Sequence, residues 1–518
     1  MNNFKKIVAL ALSLALVLVT LAGCGGNAGD TDTKAADTLI YAQGAEPRGL
    51  DPALVDDGES AKVIINIYEG LLKYAQDSTK LEPCLAKEWE VSPDGLTYTF
   101  KLQEGVKFHD GTDFDAEAVK FNIDRQLPPK MTEDMAYASF VYASVKDVEV
   151  VDKYTVKINL KEPSTPFLAN LAMVMSAPIV SPKALQENNN NVNQAPVGTG
   201  PYKFVRWAKD ENIVLERNEE YWGTKALTKN VIFRFIKDNS ARVVALNNGE
   251  VDMIDGIDAT VVKQITDAGN KVFQAPGMNI NYLAYNTSKA PFNNAKIRYA
   301  VSQAINVPEL VESLYQGYSE AATSILPTFM EGYDKSIAQA PYDPDAAQKA
   351  LKDAGVTSVK IMTYTNPRPY NNATGQALAE AVQSYLSKVG VTATIDSYDW
   401  TTYKEKIKAG DYDICFYGWI GDNGDPDNFM YLLAHEDPTM NVALYKNPEF
   451  NDLIAQGVKE PAGPERNAIY TQLEKIAAAD AVWLPISHAQ TLAAYRPNIQ
   501  NFVYHVTGVT PFAGVSKQ

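Results

Sequence analysis

Residues 414–429 read ICFYGWIGDNGDPDNF. An apolar run passes a tryptophan, Trp419, and empties into a loop carrying Asp422, Asp425 and Asp427, loosened by Gly421 and Gly424. A carboxylate in such a place is an acceptor for an ammonium group. Upstream, the segment NPRPY supplies Arg368, whose planar guanidinium fork suits a carboxylate. Trp400, Trp419 and Tyr370 add flat apolar surface. An anion site, a cation site and aromatic walls together suit an amino-acid-derived zwitterion, and a two-residue peptide spans about 7 Å when extended. The same residues also admit a plainer arrangement, in which Arg368 and Asp422 pair with each other or with their neighbours.

Other chemistries are poorly supplied. The acidic loop lacks the closing Glu of an EF-hand, so Asp425 and Asp427 are expected to shape the turn and cap the segment after it. The histidines are His109, His435, His488 and His505; none is spaced as a metal pair, and no metal or cofactor site is expected. No GxSxG motif is present, so a serine triad is not indicated. His109, in FHDGT, is expected in a turn after a strand, and Trp89, Trp207 and Trp222 in packing roles.

The elements that must position these residues are legible in the second half. YDPDAAQKALKDAG carries Asp343 and Pro344 at a helix start and Gly355 at its end. VKIMTYT (359–365), VTATIDSYD (391–399) and ICFYGWI (414–420) read as strands, with helices at 375–390 and 401–410 between them. The alternation predicts a parallel sheet covered by helices. Ligands of such sheets sit at the carboxyl ends of the strands, where Arg368, Trp400 and Asp422 all fall. If the first strand lies between the other two, Arg368 and Asp422 leave neighbours about 5 Å apart. The first half shows strands at LTYTFKL and YTVKINL around a helix, FDAEAVKFNIDRQL, with Asp115 as its cap.

The chain has 518 residues, 46% of them hydrophobic, and a net charge of −16. That length implies two or more domains, and the acidic balance argues against nucleic acid. Residues 1–23 read as a secretory signal: Lys5 and Lys6, an apolar run from Ile7 to Leu21, then Leu21-Ala22-Gly23-Cys24. That ending resembles the lipobox of bacterial lipoproteins, which implies a diacylated Cys24 anchored in membrane lipid. Residues 24–37 read as a flexible tether. Cys84 and Cys415 are the remaining cysteines, with nothing in their setting to pair them.

Several blocks carry a family resemblance: GAEPRGLDPAL, NIYEGLLKY, LAKEWEVSPDGLTYTFKLQEGVKFHDGTDFDAEAV, VGTGPYKF, YNTSKAPFNNAKIRYAVSQAIN and GWIGDNGDPDNF. The chain resembles the peptide-type (family 5) extracellular solute-binding proteins of ABC importers, within them the dipeptide-binding branch. The resemblance implies an α/β, two-lobed periplasmic-binding-protein-like (type II) fold with a third subdomain. Lobe I would span 38–278, with an inserted subdomain at about 60–195; lobe II would span 279–488; residues 489–518 would return to lobe I. The strand crossings between lobes are expected near 278–285 and 484–492. The resemblance further implies that Arg368 holds a ligand carboxylate, that Asp422 holds the α-ammonium, that Trp400 packs on the ligand, and that Gly44 offers backbone contact from the facing wall. The expected partners are a short peptide and the permease subunits of an ABC importer, and the expected location is extracytoplasmic. Arg48, in QGAEPRGL, departs from the branch and leaves glutathione, a short oligopeptide or another zwitterion open as ligands; receptors for nickel chelates and haem share the fold, so the fold alone does not choose among them. A secreted peptidase is the rival class, and it lacks a nucleophile or metal.

The lipobox resemblance generates one expectation. Cys24→Ser protein, made in a host that processes lipoproteins, should move from the membrane fraction to the soluble fraction on cell fractionation; persistent membrane association would sink the anchor.

Overall fold

The structure, a computed structural model, describes residues 37–365 and 368–518. The signal segment, Cys24 and nearly all of the tether lie outside the described residues, as do Asn366 and Pro367 of the arginine segment. Among the described residues no helix is long and apolar enough to cross a membrane.

The strands expected in the second half form as read. Ser358–Tyr364 lies between Thr392–Tyr398 and Ile414–Ile420 and runs parallel to both. The crossovers are the helices Gly375–Lys388 and Trp400–Ala409. Each helix starts on a side-chain cap: Thr374 accepts from the Ala377 N–H, and Asp399 from those of Thr401 and Thr402. Gly390 and Gly410, both at positive φ, stop them. Ile414–Ile420 is buried over its first five residues, because sheet covers both its edges and helices its faces. The sheet as a whole is mixed rather than parallel: beyond Ile414–Ile420 the next strand, Asn279–Tyr285, pairs antiparallel.

One long strand joins the two halves of the molecule. Trp483–Tyr495 pairs through Trp483–Ser487 with Asn281–Ala284, and through Gln490–Tyr495 with Lys271–Pro276. Its second half also meets Met253–Asp255, beyond which lie Thr38–Gln43, Asn230–Phe235, Asn212–Arg217 and Tyr202–Ala208. Separate hydrophobic cores flank the joint. One collects residues between Met278 and Ile486; another joins Leu39, Tyr41, Val231, Phe233 and the C-terminal Phe512. The second chain crossing is Gly277–Met278, between paired strands, and Asn279 clamps it: its side chain donates to the Ala489 carbonyl at 2.8 Å and accepts the Ala489 N–H at 2.7 Å.

A third core belongs to the inserted four-stranded sheet, ordered Ala86–Val91, Thr97–Leu102, Thr155–Leu160, Val145–Asp152. Tyr98, Phe100 and Leu102 alternate inward and pack with Val119 and Ile123 of the helix Ala116–Asp124. Asp115 caps that helix through the Ala118 N–H at 3.1 Å. His109 is structural, its Nε2 lying 2.9 Å from the Gly200 carbonyl. Cys84 and Cys415 are buried free thiols, Cys415 within the core between Met278 and Ile486 and Cys84 beside Glu69.

The insertion is tied down by a buried ion pair. Arg125 reaches both oxygens of Asp51, Nη1 at 3.2 Å from Oδ2, and Asp51 also accepts the Ala53 and Val192 N–H groups. Asp51 is fully buried, so removing the cation leaves an uncompensated charge. Arg125→Ala is therefore expected to lower stability by about 3–5 kcal/mol, read from the midpoint of urea unfolding; a loss under about 1 kcal/mol would show that the pair contributes little beyond its hydrogen bonds.

Candidate functional site

Between the halves lies a cleft of about 850 Å³, and both Arg368 and Asp422 line it. Asp422 sits two residues beyond its strand. Its Oδ1 accepts the Tyr137 hydroxyl at 2.9 Å and its Oδ2 the Asn428 amide at 3.1 Å. The Asn428 side-chain oxygen Oδ1 in turn accepts the Asp422 backbone N–H at 2.9 Å and the Trp419 indole N–H at 3.0 Å. Burial raises the Asp422 carboxyl above the usual carboxylate range, and the two neutral donors oppose it only in part. Among the described residues no cation is engaged with it. The result is a half-buried carboxylate with fixed orientation and no cationic partner among the described residues.

Arg368 is held from below. Its backbone closes a turn with Asn371, N–H to carbonyl at 3.1 and 2.8 Å in the two directions. Asn371 is fully buried, accepting from Tyr315 at 2.8 Å and donating to Tyr364 at 3.0 Å. The guanidinium lies 3.9 Å over the Trp400 ring, and its Nε is buried without a hydrogen-bond partner among the described residues. Arg368 and Asp422 do not pair with each other.

The aromatic candidates play a different part from the one their types suggest. Trp400 follows its strand, as expected, and opens the next helix, where it stacks under Arg368 with Tyr403 and Tyr417 behind it. Trp419 orients Asn428. Tyr370 packs flat on the strand at Gly418, where a Cβ would fall 2.2 Å from the ring; only glycine leaves that room. None of these three lines the cleft, and nor does Gly44, whose missing Cβ is faced by the Arg242 guanidinium at 3.2 Å. Arg242 thus occupies the space beside the Gly44 Cα, on the side where a larger residue would carry its Cβ. Arg48 is exposed and pairs with Asp56 at the cleft edge.

Several site residues had no local signal. Tyr137 reaches Asp422 across 285 residues of sequence. The wall facing Asp422 carries Lys62, which pairs with Glu59 at 3.0 Å and with Asp255. Asp425 and Asp427 do shape the turn, the Asp427 N–H donating to Asp425 Oδ1 at 2.9 Å. Yet Asp425 also holds the buried Arg466 at 2.8 Å, whose Nε donates to the Gly457 carbonyl at 2.8 Å. That cation, and not the loop's own composition, anchors the acidic turn.

With this geometry in view, comparison with known proteins is specific. The profile described as "Bacterial extracellular solute-binding proteins, family 5 Middle" matches residues 80–441. Heme-binding protein A of Haemophilus influenzae is 31% identical, over 98% of this chain and 98% of its own. The dipeptide-binding protein of Escherichia coli is also 31% identical, over 99% of each. The structure of the periplasmic binding protein DppA from Helicobacter pylori, in complex with the peptide STSA, superposes with a TM-score of 0.75 at 33% identity, covering 93% of this chain and 98% of that one. The fold and cleft define a two-lobed solute-binding protein with an additional domain. The chain belongs to family 5 of the bacterial extracellular solute-binding proteins.

The loop's electrostatics yield a pH test. Burial, reinforced by the neighbouring Asp425 carboxylate, pushes Asp427 up to about 7, while Arg466 and the Tyr470 hydroxyl at 3.2 Å pull the other way. An unfolded aspartate titrates near 3.9. Between those values the folded state holds a proton that the unfolded state has lost, so this group's contribution to stability falls as pH rises from about 4 to 7. Asp427→Asn should remove that slope and be more stable than the parent at pH 8, by on the order of 4 kcal/mol. Thermal unfolding from pH 4 to 8 checks it, and parallel curves for the two proteins would contradict the assignment.

Proposed function

We propose that this protein is the lipid-anchored receptor of an ABC importer, capturing short peptides, dipeptides foremost, and delivering them to a membrane permease. One observation carries the proposal: the half-buried Asp422, served among the described residues only by neutral donors, and Arg368, whose buried Nε has no hydrogen-bond partner among the described residues, line one cleft. Isolated charges are expensive to bury unless each meets a fixed partner. A zwitterionic peptide supplies both partners, its ammonium to Asp422 and its carboxylate to Arg368. Trp400 and Trp419 then act behind the contacts, holding Arg368 and Asn428 in place.

The joint explains capture. In this reading lobe I is residues 38–278 with residues 489–518, lobe II is residues 279–488, and the crossings at Gly277–Asn279 and along Trp483–Tyr495 let the lobes close over ligand. Closure removes water from both ligand charges, which strengthens their attraction to the fixed partners. The relatives named for dipeptide and for peptide STSA support a peptide ligand. The one named for haem supports a second solute class, whose propionates would also suit Arg368 but would leave Asp422 unused. Cys24 would supply the anchor, with the tether spacing the receptor from the bilayer.

The test couples protein to ligand. Asp422→Asn keeps the shape and removes the charge, so it should weaken a free dipeptide far more than its N-acetyl derivative. Arg368→Ala should cost a dipeptide roughly 3–5 kcal/mol, or about two to three decades of affinity. Calorimetric titration with dipeptides, N-acetyl dipeptides and haemin gives the coupling directly. Zero coupling between residue 422 and acetylation would remove the peptide assignment, and tight haemin binding indifferent to Asp422 would replace it.

A further inference from the structure

Beside Asp422 the cleft wall is apolar in a way that turn-shaping does not require. Ile420, two residues before the carboxylate, leaves 40% of its surface open although it closes a strand that is otherwise almost wholly buried. Met278 adjoins it: the Met278 carbonyl accepts the Gly421 N–H at 2.8 Å, and both residues line the cleft. The facing wall contributes the partly exposed Met175, with the buried Met173 close by in the chain. These are brought close to Asp422 by Asn170, three residues before Met173, whose side chain accepts the Asn423 amide at 2.6 Å.

The backbone that presents the two methionines is itself constrained. Ser176, next after Met175, sits in the left-handed region at φ 67. That conformation is unfavourable for a residue with a side chain and persists only where the surroundings impose it. Here the Ser176 N–H donates to the Pro52 carbonyl at 2.8 Å, and its own carbonyl accepts the Gln126 amide at 2.9 Å. The segment is therefore fixed in place.

We propose that Ile420 and Met175, backed by the buried Met278 and Met173, form an apolar subsite that selects ligands by their first side chain, favouring long aliphatic residues such as leucine and methionine. The inference rests on the peptide function proposed above. An ammonium on Asp422 places the first Cα one bond away, and the side chain that leaves it must pass over the residues flanking the carboxylate. Thioether side chains are flexible and polarizable, so they adapt to aliphatic shapes of different branching. Each methylene taken out of water there strengthens binding about fourfold.

The experiment is calorimetric titration of protein freed of carried ligand, using Leu-Ala, Met-Ala, Ala-Ala and Ser-Ala. Leu-Ala and Met-Ala are expected to bind at least tenfold more tightly than Ala-Ala. In Ile420→Ser, and separately in Met175→Ser, the ratio of Leu-Ala to Ala-Ala affinity should shrink towards about threefold. Two positions on opposite walls guard against one variant disturbing the fold. If Ala-Ala binds as tightly as Leu-Ala, the subsite is wrong and the peptide function stands. If the ratio survives in both variants, the preference comes from elsewhere and the assignment of these residues is overturned. If no dipeptide binds, the underlying function fails, and this inference with it.

Discussion

The arrangement of the cleft depends on a half-buried carboxylate, Asp422, with no cation against it among the described residues. A carboxylate in that condition raises its own proton affinity and destabilises the fold that holds it. Two neutral donors, from Tyr137 and Asn428, keep Asp422 in one orientation without cancelling its charge. Neutral donors are suited to this: an arginine in their place would satisfy the site internally and leave nothing for a ligand to complete. The surrounding turn offsets the strain of that burial, through Asn428's bonds to Trp419 and to the Asp422 backbone, and through the buried pairing of Asp425 with Arg466.

The same logic governs the arginine. Trp400 supports the guanidinium face at 3.9 Å, a contact that restrains a long side chain while leaving its hydrogen-bonding edge free. Beneath it, the Asn371 network replaces what would be orphaned backbone groups with a closed turn. Aromatic residues around a charged site are easily taken for ligand contacts. Here Tyr370 is buried and the half-buried Trp400 and Trp419 are engaged with Arg368 and Asn428, which makes them supports, and the cleft surface is left to residues contributed from farther away.

Opposing groups can face each other across one cleft because a single strand belongs to both halves. Trp483–Tyr495 changes partners along its length, with Asn279 clamping the crossing beside it. Two adjacent crossings hold the halves in register. The Tyr137–Asp422 bond and the Asn170–Asn423 bond show the inserted domain meeting the acidic loop directly. The charge at Asp422 is therefore set jointly by segments nearly three hundred residues apart.

Local rules account for the part of this arrangement that is legible in the chain alone. Alternating and continuous apolar runs mark the strands at 358–364, 392–398 and 414–420, with caps and glycines fixing the helices between them. Right-handed crossovers then put the Arg368 strand in the middle and bring Arg368 and Asp422 to one rim. The shared blocks of sequence carry the family. Tertiary structure alone decided whether the two charges would pair, since that depends on distances and on burial. It also decided that Gly44 faces Arg242, that Trp400, Trp419 and Tyr370 lie behind the cleft, and that Arg466 anchors the acidic turn. Tyr137 could not be read at all, because no local pattern marks a tyrosine whose partner lies in another domain. Hydrophobic periodicity reports which face of an element is buried; it does not report what the buried face will meet.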